Sequence, residues 1–238
     1  MKKNIIKSPN DYYKSIEEIL PHIWHIRFSN RYWMCATIMR YSEFVESNTE
    51  LILKKKFTYE QFMDFYAEQH NWKFRYFEDW AGFNLSKTDI KLFQEQFRPI
   101  DLLEKEKVFW HVIEKIKYIE KTHNFEIITT DSNNTLIHEI AHALYNINPK
   151  YQLKVLHELG VLEKKHPYLY RRVYKDIIKS GYNKEVIYTE LNSYICDYTC
   201  PEYILEELNI SVTGYNKLSR NLVKLFKEYY NEAKSKRK

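Results

Sequence analysis

Residues 125–145 read Phe-Glu-Ile-Ile-Thr-Thr-Asp-Ser-Asn-Asn-Thr-Leu-Ile-His-Glu-Ile-Ala-His-Ala-Leu-Tyr. The first six are rich in β-branched side chains, which suit a strand. Asp131, Ser132, Asn133 and Asn134 follow, with side-chain oxygens of the kind that cap a helix start. From Thr135 to Tyr145 the one charge, histidines aside, is Glu139, and Asn148-Pro149 marks a stop. A solvated helix would carry Lys or Glu every third or fourth position, as this chain does elsewhere. The stretch therefore predicts a strand, a short polar turn and a buried helix. On that helix His138 and His142 are four residues apart and stand one above the other on the same face. Two imidazole nitrogens can address one cation, and Glu139 beside the first can take a proton from water held there.

Imidazole pairs of this spacing suit zinc, whose catalytic sites use three protein ligands and leave a fourth position to water. The stretch Thr135 to Leu144, with its uncharged positions, resembles the extended motif of the zincin metallopeptidases. The metzincin branch would need Gly and His where this chain has Tyr145 and Asn148, so that continuation is absent. In the gluzincin branch the third ligand is a Glu on a later helix, within an N-E-x-x-S-D pattern. Thr189-Glu190-Leu191-Asn192-Ser193-Tyr194 is similar to it at Glu190 and Ser193 and departs from it at Thr189 and Tyr194.

That resemblance implies Zn²⁺ held by His138, His142 and Glu190. The family's Asp, which orients a zinc-bound His, is replaced here by Tyr194. Either the Tyr194 phenol accepts the imidazole N–H, or a different carboxylate does, and Asp197 is the candidate one turn further along. The interval from His142 to Glu190 exceeds that of thermolysin-like members, and Glu158, Glu163 and His157 compete for the ligand role. Glu163 has nearly the shorter spacing but sits in Gly160 to Lys165, a stretch that reads as a polar turn.

The implied activity is hydrolysis of peptide bonds in a peptide or protein substrate. Glu139 would serve as general base, and Tyr182, Tyr188 or Tyr194 would steady the oxyanion. The strand at Phe125 to Thr130 would pair with extended substrate, as a zincin edge strand does. The stretches Ser42 to Ser47, Asp79 to Asn84, the His138 motif and Tyr188 to Tyr194 also resemble a set of zincin-like proteins from phages, large viruses and bacteria. That likeness spans about residues 30 to 195 and implies no substrate. A rival reading is a zincin-fold binding or structural protein without turnover, a virion or host-interaction component. Glu139 counts against it, because a structural site has no use for a base. A nucleic-acid partner is disfavoured: net charge is +5, but basic and acidic residues interleave except in the tail Lys234, Lys236, Arg237 and Lys238.

Around the motif the chain reads as α+β and mainly helical, a zincin-like core in which a small sheet of two or three strands packs on helices. Expected helices run from Arg31 to Ser47, Thr58 to His70, Ser86 or Thr88 to Phe97, and Leu102 to Thr122. Beyond the motif they run from Lys150 to Glu158, Tyr168 to Lys179, Lys184 to Thr199, Glu202 to Leu208 and Gly214 to Glu232. Lys73 to Phe77 alternates like a strand, Trp80 to Asn84 reads as an aromatic turn, and Gly160 and Gly181 read as helix stops. A division into 1–122 and 123–238 is expected within one compact domain. Cys35, Cys196 and Cys200 are too few for a disulfide framework, and Cys196 and Cys200, four apart, read as buried thiols. His22 and His25 read as core or surface histidines. Neither an apolar leader nor a membrane-length span is evident, so a soluble, cytoplasmic protein is expected.

Overall fold

Two β-rich runs separated by Pro21-His22 open the fold as a hairpin. β1 (Tyr13–Leu20) and β2 (Ile23–Phe28) pair antiparallel. Pro21 presets the turn, and His22 adopts φ 64°, the left-handed position that such turns usually give to Gly or Asn. That histidine hides the hairpin from a sequence reading. A computed structural model describes residues 11–133, 135–197, 209 and 211–237. The expected helix over 202–208 and Cys200 lie outside the described residues.

After the hairpin come α1 (Arg31–Glu46), α2 (Tyr59–Gln69) and a single turn, α3 (Tyr76–Asp79). Next follow β3 (Gly82–Ser86), α4 (Lys87–Gln96), α5 (Glu104–Glu120) and β4 (Glu126–Thr130). The strands form a four-stranded mixed sheet in the order β1-β2-β4-β3, with β4 parallel to β2 and antiparallel to β3. Thr58 and Ser86 cap α2 and α4 through their hydroxyls.

The sheet corrects three expectations. β4 is flanked on both sides, so it has no free edge to offer an extended substrate. Its five residues are all buried, which explains a continuous rather than alternating pattern. Lys73 to Phe77 is not a strand. Phe74 and Tyr76 pack with Phe62 and Tyr66 in an aromatic cluster, and Arg75 pairs with Glu78 and Asp79 at helical spacing. Gly82, Phe83 and Asn84 are strand rather than turn, in register with Thr130, Thr129 and Ile128.

The chain divides into two compact units, Met1–Leu136 and Ile137–Lys238. β4 goes with the first, whose sheet it completes. One sheet face of that unit presents Ile16, Trp24, Ile26, Phe83, Leu85 and Ile127 to a single core, shared with Ile38 and Met39 of α1 and Ile113 and Ile116 of α5. Within it Arg40 and Glu106 are buried together. The guanidinium donates to both carboxylate oxygens, with Nε to Oε1 at 2.8 Å, and to the carbonyls of Phe57 and Asp101.

The second unit holds α6 (Leu136–Ile147, its first residue shared with the other unit), α7 (Pro149–Lys165), α8 (Pro167–Lys179), α9 (Ile187–Cys196) and α10 (Val212–Lys236). Asn148 both ends α6 and caps α7 through its side chain. Gly160 does not stop a helix. α7 runs through it to Lys165, and the stop is set by Pro167, which holds His166 out of the helical region. Glu163 is thus in a helix, not a turn. Gly181, at φ 100°, does follow the end of α8. The chain is α+β with a small mixed sheet, and no helix among the described residues is long and apolar enough to cross a membrane.

Removing one member of a buried ion pair strands the other charge, at a typical cost of about 3–5 kcal/mol. Glu106→Ala should therefore destabilise the first unit by that amount in urea denaturation. Tryptophan fluorescence reads it, since all 5 tryptophans lie in that unit. A loss under about 1 kcal/mol, the range of exposed pairs, would contradict it.

Candidate metal centre

α6 is apolar on nearly every side: Ile140, Ala141, Ala143, Leu144 and Tyr145 are buried, and so are Glu139 and His142. α9 carries Glu190, Asn192 and Ser193 inward among Ile187, Leu191 and Ile195. The two helices meet through these side chains. Asn192 is fully buried, donates to the Ala141 carbonyl at 3.3 Å and accepts from the Tyr151 hydroxyl at 3.0 Å, which ties α9 to α6 and α7.

At this junction His138, His142 and Glu190 converge. The Nε2 atoms of the histidines are 3.1 Å apart. Glu190 places Oε2 3.7 Å from His138 Nε2 and Oε1 3.5 Å from His142 Nε2. Ligands at zinc's usual bond lengths stand about 3.3 Å apart in a tetrahedron, so these separations bracket the edge of such a site. A second observation bears on the fit. Glu190 is 2% exposed, and its Oε2 has no hydrogen-bond partner. A buried carboxylate oxygen with no donor is costly unless a positive charge is near it. His138, His142 and Glu190 thus fit a divalent cation of the zinc type in donor chemistry and in spacing.

The outer nitrogens of both imidazoles are also engaged. His138 Nδ1 donates to Asp197 Oδ2 at 2.9 Å, and His142 Nδ1 shares a hydrogen bond with the Thr189 hydroxyl at 2.8 Å. Each bond leaves Nε2 facing the centre and fixes its ring. Of the two groups offered for the His138 N–H, Asp197 is the one that bonds it. The Tyr194 ring instead stands edge-on to His138, with centroids 5.0 Å apart. Tyr182 is buried and Tyr188 is half exposed. Thr189 is the residue that sequence reasoning missed. Its position registered as a departure from the family pattern, whereas the neighbouring His supplies its use. Of the competing ligands, His157 and Glu163 are exposed and Glu158 accepts from Asn221; none belongs to a metal-ligand group among the described residues. Cys196 is a buried thiol bonded to Asn192, and burial raises its pKa to about 12.

Electrostatics separate the ligands. Burial opposes charge on His138, but the Asp197 and Glu190 carboxylates outweigh it and hold its pKa well above the ordinary value. Burial lowers His142 to about 4, against the pull of Glu190. Burial also raises Glu139 to about 8, opposed by His138 and reinforced by Glu190 and Asp197. Without a cation, His138 is the ligand that favours a proton, and His142 disfavours one.

Comparison with protein-family models, with curated proteins and with solved structures returned no match.

Two outcomes follow for this centre. Thr189→Val removes the acceptor for His142 Nδ1–H and should weaken zinc binding about 10- to 100-fold, as measured by competition with a chromogenic chelator. Unchanged affinity would show that the bond does not orient the ring. The second concerns pH. The folded pKa of Glu139, about 8, lies above its ordinary 4.5. Between these values the metal-free native state binds a proton that the unfolded chain lacks, so stability falls as pH rises. Metal-free Glu139→Gln should gain on the wild type in melting temperature from pH 5 to pH 8. A gap that stays constant with pH would contradict the raised pKa.

Proposed function

We propose that the chain is a zinc-dependent metallopeptidase with a zincin-like centre, in which His138, His142 and Glu190 are the ligands and Glu139 is the general base. The observation that supports it most is the arrival of Glu190, 48 residues downstream of His142, within 3.7 Å of both imidazole Nε2 atoms. Two histidines on a buried helix have many uses; two histidines, a third converging donor and an adjacent buried carboxylate suit one chemistry best.

When bound, zinc supplies Lewis acidity: it acidifies water towards a pKa of ~7 and polarises a carbonyl. The remaining work falls to side chains. His138 and His142 present Nε2 because Asp197 and Thr189 hold their Nδ1–H groups. Glu139 is buried beside His138, where its ionised carboxylate is placed to act as the base. Its carboxylate takes the proton from attacking water and returns it to the leaving amide nitrogen. The Tyr194 hydroxyl is the proposed donor to the developing oxyanion, since its ring abuts His138 and burial keeps the phenol protonated. The proposed substrate is a peptide or protein. No free edge of β4 takes part in binding it.

Glu139→Gln keeps the shape of the base and removes its basicity. The variant should retain zinc at wild-type stoichiometry and lose at least ~100-fold in turnover, the lower range for a general base. Cleavage of a diverse peptide library by the zinc-loaded proteins, read by mass spectrometry, measures this. Full activity in the variant would remove Glu139 from the mechanism, and no cleavage by the wild type would favour the binding-protein reading.

A further inference from the structure

We propose a second transition-metal site in the first unit, formed by His22 in the β1–β2 turn, Glu120 at the end of α5 and His123 in the loop to β4. Each offers a donor atom, and all three atoms lie within 4.8 Å of one another. The site is independent of the one on α6 and α9.

The carboxylate is built into place. Glu120 is 4% exposed, and Oε1 accepts from the Trp24 indole N–H at 2.7 Å, which turns Oε2 towards His22 Nδ1 at 2.6 Å. An outer donor that orients a ligand carboxylate is a usual feature of metal sites. The two imidazoles are stacked, centroids 4.6 Å apart and 17° from parallel, His123 Nδ1 bonds the Glu120 carbonyl at 3.0 Å, and His22 side-chain exposure of 39% leaves the cluster open to ions and water. The loop is held as well: the Lys87 ammonium donates to the carbonyls of Lys121 and His123, and Glu126 N–H donates to the His22 carbonyl.

Backbone strain points to the same place. His22 and Lys121 both have positive φ, at 64° and 50°. For a residue with a Cβ this conformation costs about 1–2 kcal/mol, and Gly or Asn at position 22 would avoid much of it. A histidine kept there puts its ring beside Glu120. Such strain gathers at sites with a use for it.

Two imidazole nitrogens and one carboxylate oxygen select a borderline cation such as Zn²⁺ over Mg²⁺ or Ca²⁺, which take oxygen donors. The ion replaces the proton between His22 and Glu120, the exposed His123 ring turns to bond it, and water completes the shell. Binding would clip the hairpin turn to the α5–β4 loop and stabilise the first unit.

Zinc binding by the full chain, measured by equilibrium dialysis with elemental analysis, tests this. Wild type should bind two equivalents that excess Mg²⁺ does not displace. His123→Ala, at an exposed position, and His22→Asn, which keeps a residue suited to positive φ, should each bind one. Their affinity for the lost equivalent should fall more than about 100-fold, beyond the range for an outer partner. Glu190→Gln should lose the other equivalent and keep this one. Wild-type stoichiometry and affinity in both histidine variants would overturn the proposal and assign any extra zinc to other surface groups. No zinc in wild type, or a single wild-type equivalent that Glu190→Gln abolishes, would also overturn it. One equivalent lost in His123→Ala but kept in Glu190→Gln would uphold this site and remove the other.

Discussion

A buried carboxylate must be compensated, and Glu190 is the charge around which the second unit is arranged. Taking such a group from water costs several kcal/mol per ion even after relaxation. Ordinary compensation would come from N–H donors, yet Oε2 has none. What faces it instead is a pair of imidazole nitrogens. In the metal-free state a proton on His138, stabilised by Asp197 as well, supplies the positive charge. A divalent cation would supply it more fully and would release that proton. Placement of Glu190 needs α9 held against α6, which the buried Asn192 does by bonding across to the Ala141 carbonyl.

The same constraint explains the polar residues nearby. An imidazole that faces a cation through Nε2 needs an acceptor at Nδ1, or the ring can turn away. α9 provides both acceptors, Thr189 before Glu190 and Asp197 two turns after it. Position 194, where the gluzincin pattern has Asp, holds a phenol that packs against His138. The departures from the pattern at 189 and 194 thus leave every nitrogen with a partner.

How much of this could be read from sequence depended on how local each signal was. The α6 motif, its burial and its end at Asn148-Pro149 were legible, because spacing of four and the lack of charge are properties of one helix. The approach of Glu190 to the α6 histidines was legible through its likeness to a known pattern, whereas Asp197 stood out only as the next carboxylate on α9 after a Tyr at position 194. Thr189 was not, because its use appears only once His142 is beside it. The sheet was largely hidden: a histidine occupies the positive-φ place in the β1–β2 turn, and β3 is short and begins in an aromatic run. Lys73 to Phe77 alternated correctly for a strand but found its neighbours in Phe62 and Tyr66. Gly160 misled because a glycine in mid-helix and one at a stop look alike, whereas Pro167 carried the real boundary.

Anomalous diffraction at the zinc edge, from crystals of the zinc-loaded chain, is the measurement closest to the central claim. A three-ligand centre requires a strong peak within bonding distance of His138 Nε2, His142 Nε2 and a Glu190 oxygen. Zinc in the crystal with no peak there, or a peak on the two histidines with Glu190 turned away, would contradict it.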